Sequence, residues 1–337
     1  MKVKLLIASV DKLYVKLLSD NISENYSDII DVSVCNTLEG FNNTLSKQCF
    51  NVALIDLILI EHINTDQIHM PVLLWTEGEK ITGKPVMYER INKHSRISLI
   101  VSSILEKYAR ISDGQKDIKS RNANITAVWS PSGGVGKTCV ALAYALSNIP
   151  KDEALDKKDV FYLNLENFSS VAGIFKENTK SISSVFEMLD SNIGDMEMLI
   201  KGISYSYKGL RYLGSPENYE DMDILSPDNI SELISHCANL SDELVVDLSS
   251  TCDEKVKNVF EAAGKILLVT DDSSLSQTKL AVFMSQNSIF KQIQEKTILV
   301  VNKDAKIDKK QTETIIYTPF IQSDNVESIC LALSEYF

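Results

Sequence analysis

One octapeptide restricts the fold of this 337-residue chain more than any other feature. It is Pro131–Thr138, P-S-G-G-V-G-K-T, set between the apolar run Ile125–Trp129 and the apolar stretch Cys139–Ser147. The first run predicts a strand and the second a helix, so a glycine-rich turn joins a strand end to a helix start. Gly133, Gly134 and Gly136 lack the Cβ that would obstruct main-chain N–H groups turning inward around phosphate oxygens. The helix N-terminus adds its dipole to the same anion. Lys137 is placed to reach the β- and γ-phosphates as a point charge, and the Thr138 hydroxyl to ligate Mg²⁺. The predicted nucleotide cradle is thus Ser132, Gly133, Gly134, Val135, Gly136, Lys137, Thr138 and Cys139. A strand–helix turn that binds nothing is the alternative, and G-K-T with these flanks speaks against it.

A phosphate loop needs an acid at the end of a later strand. Leu244-Val245-Val246-Asp247 supplies one, with Asp247 placed to hold Mg²⁺ through water. Taken alone, such an Asp is a strand-end residue or a helix cap; the loop upstream favours the metal role.

Strands and helices alternate along the rest of the chain, which predicts an α/β protein with mostly parallel sheets. In the first unit, residues 1–111, the expected strands are Val3–Ala8, Ile29–Cys35, Asn51–Asp56, Pro71–Thr76 and Val86–Ile91. Helices are expected at Asp11–Ser19, with Leu13, Val15, Leu17 and Leu18 apolar, at Leu38–Gln48, and from Ile97 onward. There Ile97, Ile100, Val101, Ile104, Leu105 and Tyr108 form one apolar stripe. Residues 112–124, SDGQKDIKSRNAN, are polar and aperiodic and read as a linker. The second unit, 125–337, has further strands expected at Val160–Leu165, Gly209–Gly214, Glu243–Leu248, Lys265–Thr270 and Thr297–Asn302. Ser226-Pro227-Asp228 is a helix start with a capping hydroxyl and proline at the first helical position.

S-G-G-V-G-K-T, the DLSS end of the Asp247 strand and the strand ILLVT together resemble the MinD/ParA (deviant Walker A) ATPases. The domain order, a receiver-like (flavodoxin-like) unit, a linker and a MinD/ParA-type P-loop unit, resembles the TadZ/CpaE branch, whose members place and assemble the Flp/Tad pilus machinery at a cell pole. The resemblance implies ATP and Mg²⁺ as cofactors, a homodimer, Flp/Tad secretion or polar-localisation partners, and a cytoplasmic location at a pole. It implies that Asn302, at the end of TILVVN, reads the adenine edge, with Pro319 in the flanking turn; a turn-forming Asn is the alternative. Asn302-Lys303-Asp304 is not the N-K-x-D of guanine readers, which favours ATP over GTP.

This chain departs from the family pattern where catalysis is concerned. The family's signature lysine, which reaches the partner subunit's nucleotide, is Ser132 here. The second acidic motif, D-x-D, is Asn164-Leu165-Glu166; Glu166 can still position water, but Asn164 cannot act as a base. Lys137, Glu166 and Asp247 remain as the expected catalytic set. Arg211 is the only arginine after residue 121, and it falls on a predicted strand. Loss of a transition-state cation costs phosphoryl transfer about 10³–10⁵ in rate, so tight binding with slow hydrolysis is expected. An active positioning ATPase is the alternative.

In the first unit Asp56, Thr76 and Lys93 look like a receiver's phosphoacceptor, switch hydroxyl and lysine. The acidic pair that would hold the metal is replaced by Ser9-Val10, with Asp11 one place late. A binding module is therefore expected over a phosphorylated switch, a response regulator with ATPase output being the alternative. His62, His69, His94 and His236 are too scattered for a metal site, and the six cysteines read as reduced, partly buried thiols.

Charge narrows the partners. The first 121 residues carry 15 basic and 15 acidic groups; the rest hold 19 and 31, and with them the whole net charge of −12. So acidic a surface repels nucleic acid and anionic lipid. The final stretch Asn325–Phe337 contains no Lys or Arg and reads as packing, and no apolar run reaches the length of a membrane span. No nucleic-acid partner and no direct membrane insertion are expected.

Overall fold

The computed structural model describes residues 2–60, 65, 67–76, 88–112, 123–150, 158–175, 181–191, 194–304 and 312–337. All but the ends of the predicted linker 112–124, the first two residues of the predicted strand Val86–Ile91, and His62 lie outside the described residues. Two compact units are present, Met1–Ser112 and Asp113–Phe337.

The first unit is a five-stranded sheet of β1 (Val3–Ala8), β2 (Ile30–Cys35), β3 (Phe50–Asp56), β4 (Ile68–Trp75) and β5 (Glu89–Asn92). All neighbours are parallel, in the order β2-β1-β3-β4-β5. This is the doubly wound flavodoxin-type order, whose chain reverses its direction of winding between β1 and β3. The strands carry continuous apolar runs because helices cover both faces: Leu5, Leu6, Ile7, Leu54 and Ile55 are all fully buried. The helix Ile97–Ile111 buries Ile100, Val101, Ile104, Leu105 and Tyr108 of its expected stripe, while Ile97 in its first turn is only half-buried.

The helix over Lys12–Asn25 corrects the reading of its apolar face. Val15, Leu18 and Ile22 are buried, whereas Leu13 and Leu17 stand exposed. At 3.6 residues per turn, one face takes positions 15, 18 and 22, and positions 13 and 17 turn away from it. The helix also runs six residues beyond the expected Ser19 and starts on an Asp11 cap whose carboxylate accepts from the Tyr14 N–H at 3.0 Å.

The second unit is an eight-stranded sheet of β6 (Asn124–Trp129), β7 (Val160–Leu165), β8 (Tyr205–Tyr207), β9 (Leu210–Tyr212), β10 (Glu243–Leu248), β11 (Lys265–Thr270), β12 (Thr297–Asp304) and β13 (Ile315–Pro319). Its order is β13-β12-β11-β6-β10-β7-β9-β8, parallel except for β8 against β9. β6 lies inside the sheet, with Ala127, Val128 and Trp129 buried. From β6 the chain goes first to β7 on one side and later stacks β11, β12 and β13 on the other. That reversal opens a crevice at the carboxyl ends of β6, β10 and β7. Two strands go beyond the sequence reading: β8, and β13, where a turn is expected at Thr318-Pro319. Ser226 caps the helix Pro227–Asn239 in a reciprocal capping box with Asn229, with Pro227 in the first turn. Among the described residues no helix is long and apolar enough to cross a membrane.

Candidate functional site

The loop from Ser130 to Gly136 leaves β6 and enters the helix Lys137–Ser147. The Ser132 N–H donates to Ser130 Oγ at 3.0 Å, folding the entry of the loop back on itself. Gly134 and Gly136 have φ of +77° and +89°, left-handed values that a side chain disfavours. A Cβ at Gly136 would land on Asn302 Nδ2, so glycine is required there twice over. Beyond Gly133 and Gly134 the space is open, the room a phosphate chain would need.

The outer side of the loop is held by residues from the β12–β13 edge. Asn302 Nδ2 donates to Val135 O at 2.8 Å and Lys303 Nζ to Gly134 O at 2.7 Å, while Thr318 Oγ1 donates to Asn302 Oδ1 at 2.8 Å. Asn302, the residue expected at the base edge, is buried and has one side of its amide committed to the loop. Pro319 is buried at the end of β13, next to Thr318.

On the inner side, Lys137 Nζ donates to Ser250 Oγ at 3.0 Å and lies 3.6 Å from Glu166 Oε1. Thr138 Oγ1 donates to Glu166 Oε2 at 3.1 Å. The Glu166 carboxylate, just past β7, thus spans the ammonium and the hydroxyl that a triphosphate and its cation would use. The Glu166 N–H donates to Asn164 Oδ1 at 3.1 Å.

Asp247 lies at the centre. It is fully buried on β10, and its Oδ2 accepts from Tyr162 Oη at 2.9 Å and Asn164 Nδ2 at 3.1 Å. Its Oδ1 is buried without a hydrogen bond, and the Thr138 hydroxyl donates to Glu166. Burial pushes the Asp247 carboxyl up to about 7. The Glu166 charge adds to that shift, and Thr138, Tyr162 and Lys137 oppose it. Burial, then Asp247, likewise raise the Tyr162 hydroxyl well above its ordinary value. A buried acceptor with no donor, near the Thr138 hydroxyl and penalised for carrying charge, suits a divalent cation: a cation would satisfy Oδ1 and favour the ionised form. Thr138 and Asp247 are therefore the residues that would hold Mg²⁺, Asp247 directly or through water.

Thr138 and Cys139 also line a cleft of about 460 Å³ with Ser170, Gly173, Ile174, Asp324, Asn325 and Val326. The neighbouring Cys330 thiol, and after it the Lys303 charge, draw the Cys139 thiol below its ordinary value, against burial.

Sequence reasoning missed four members of this site. Tyr162 shares a strand face with Asn164 two residues on, a signal the period of 2 contains. Ser250 follows Asp247 in DLSS. Lys303 and Thr318 become visible only when the β12–β13 edge folds over the loop. Arg211 is not brought to the site. Its guanidinium donates to Leu240 O at 3.4 Å and lies 3.9 Å from Asp159 Oδ1, at the end of the strands opposite the loop.

In the first unit, Ser9 and Asp56 follow β1 and end β3, the two strands that flank the winding reversal. The Ser9 hydroxyl donates to Asp56 Oδ2, and Lys93 Nζ lies 3.4 Å from the same oxygen and 3.7 Å from Asp11 Oδ2. The ammonium also lies 4.8 Å from the centre of the Tyr14 ring. Burial, followed by the Asp56 and Asp11 charges, raises the Tyr14 hydroxyl. The Asp56 carboxylate is thereby satisfied by a hydroxyl and an ammonium within the chain. Thr76 follows β4 directly.

No family model matches this chain, and no curated relative does. Solved structures do. A ParA family ATPase from Chlorobium tepidum is similar over 64% of this chain and 96% of its own, at 17% identity and a TM-score of 0.52. A plasmid partition protein from Borrelia burgdorferi matches over 64% of this chain and 98% of its own, at 16% identity and a TM-score of 0.46. MinD of Pyrococcus horikoshii, complexed with Mg-ADP, matches over 63% and 95%, at 15% identity and a TM-score of 0.44. The first of these carries the conclusion that the parallel-sheet unit bearing the loop has the fold of a ParA-type P-loop ATPase.

Proposed function

We propose that this chain is an ATP·Mg²⁺-binding scaffold protein that pairs with a second copy when loaded and hydrolyses ATP slowly. The observation that carries this reading is the orphaned Asp247 Oδ1 near the Thr138 hydroxyl, at the foot of a glycine loop whose Lys137 is buried. Such an arrangement can grip a polyphosphate with main-chain N–H groups, neutralise it with Lys137 and hold its cation between Thr138 and Asp247. Glu166 yields Lys137 and Thr138 to the phosphates and is then free to orient water. With serine at position 132 and Arg211 at the far end of the strands, neither position supplies a cation to the transition state, which supports slow turnover.

The first unit acts in this reading as a receiver-like binding module, since Ser9-Val10 stands where an acidic pair would hold the metal and Asp56 Oδ2 is already paired with the Ser9 hydroxyl and the Lys93 ammonium. The domain order and the motif resemblance support a setting of the TadZ/CpaE kind, with Flp/Tad pilus proteins as partners at a cell pole. Titration calorimetry with ATP·Mg²⁺, and light scattering with and without it, test the proposal. Binding and a doubled mass, both lost in Lys137→Ala, are expected. Absence of binding at millimolar ATP ends the reading. Brisk turnover stimulated by DNA or vesicles would replace the scaffold with a cycling positioning ATPase.

A further inference from the structure

Lys303 is one of two non-glycine residues with left-handed backbone among the described residues, at φ +59°. A Cβ disfavours that conformation, so such a residue persists only where its surroundings impose it, and these sites gather where function needs them. The cause is visible in the sheet: the β12–β13 register breaks between Val301 and Asp304, and the kink sends the Lys303 side chain back across the loop. There its ammonium donates to Gly134 O at 2.7 Å. Its Cε would lie 3.9 Å from a Cβ on Gly136, so its stem runs along the glycine turn. Asn302, one residue earlier, donates to the next carbonyl of the loop, Val135 O.

A peptide group has two ends. Fixing the Gly134 and Val135 carbonyls on the outside turns the N–H groups of Val135 and Gly136 toward the inside, where a phosphate chain would lie. We propose that Lys303 is a positioning residue for the nucleotide: its ammonium, with Asn302 beside it, holds the phosphate loop in the inward-amide conformation before ligand arrives. It also adds a second positive charge to a loop that carries serine at position 132. This deepens the ATP-binding reading and rests on it.

The test compares Lys303→Met, Lys303→Arg and Lys303→Gly in the full chain. Without nucleotide, amide hydrogen exchange of the 133–136 segment is expected to quicken in Lys303→Met and Lys303→Gly and to stay slow in Lys303→Arg, which keeps a charged donor. Affinity for ATP·Mg²⁺ by calorimetry is expected to fall at least tenfold in the first two and less than about threefold in Lys303→Arg, in line with loss of one charge-assisted bond. Lys303→Gly separates positioning from folding. It relieves the left-handed strain, so its unfolding midpoint is expected to hold or rise while its affinity falls. Wild-type affinity and exchange in Lys303→Met overturn the proposal, as does a parallel loss of stability and affinity in Lys303→Gly. Wild-type protein that binds no nucleotide overturns the parent reading and this one with it, and the exchange data tell that failure from the others.

Discussion

Replacing Asp247 by Asn tests the electrostatics of the site most directly. The carboxyl is ionised in the unfolded chain above about pH 3.8 but holds its proton in the folded, nucleotide-free unit up to about pH 7. The folded state therefore binds more protons between those values, and stability falls as pH rises through that window. Three pH units at about 1.4 kcal/mol each amount to about 4 kcal/mol, fully expressed above pH 7 and to about a third at pH 5. Asn keeps an oxygen for Tyr162 and Asn164 and turns an amide toward Thr138, whose hydroxyl oxygen can accept. Asp247→Asn should thus stabilise the nucleotide-free unit by roughly 2–4 kcal/mol at pH 8, a midpoint rise of about 5–10 °C, and by much less at pH 5. Scanning calorimetry at the two pH values, with and without ATP·Mg²⁺, measures this. Wild type should gain stability from the nucleotide and its cation and the variant should not. A gap between the two proteins that does not change with pH would refute the reasoning, as would a variant destabilised at both values.

Other substitutions address the remaining parts. Glu166→Gln removes the charge that occupies Lys137, and ATP affinity by calorimetry should rise several-fold while phosphate release falls. Gly136→Ala sets a methyl group against Asn302 in a left-handed position, and nucleotide binding should be lost with the sheet's circular dichroism retained. Alkylation of Cys139 by iodoacetamide should set in at a lower pH than that of an ordinary thiol and slow on addition of ATP·Mg²⁺, read by peptide mass. Ser9→Ala leaves Asp56 with Lys93 alone and should destabilise the first unit by about 1–3 kcal/mol in urea unfolding; acetyl phosphate with Mg²⁺ should leave no label on Asp56 in the wild type.

The local features were legible in the sequence. The P-loop, the Asp247 strand, the capped helix at Ser226 and the stripe from Ile97 each depend on residues within a few turns of one another, where period and capping speak plainly. Leu13 and Leu17 show where that local signal ends: an apolar residue in an amphipathic helix has no say in whether a neighbour covers it. β8 and β13 were missed because three- and five-residue strands at sheet margins carry little pattern. Tyr162, Ser250 and Lys303 belong to the site through contacts 85, 113 and 169 residues away in sequence, which no spacing rule expresses.

The margins of the large sheet carry a consequence of their own. An open ladder of eight strands would recruit foreign strands wherever its outermost hydrogen-bonding groups were long and straight. One margin is the three-residue β8, reversed in direction; the other, β13, stops at Pro319, whose nitrogen has no hydrogen to donate. Such short, interrupted borders resist fibrous growth by strand addition, so two copies can approach one another without the sheet extending through its backbone.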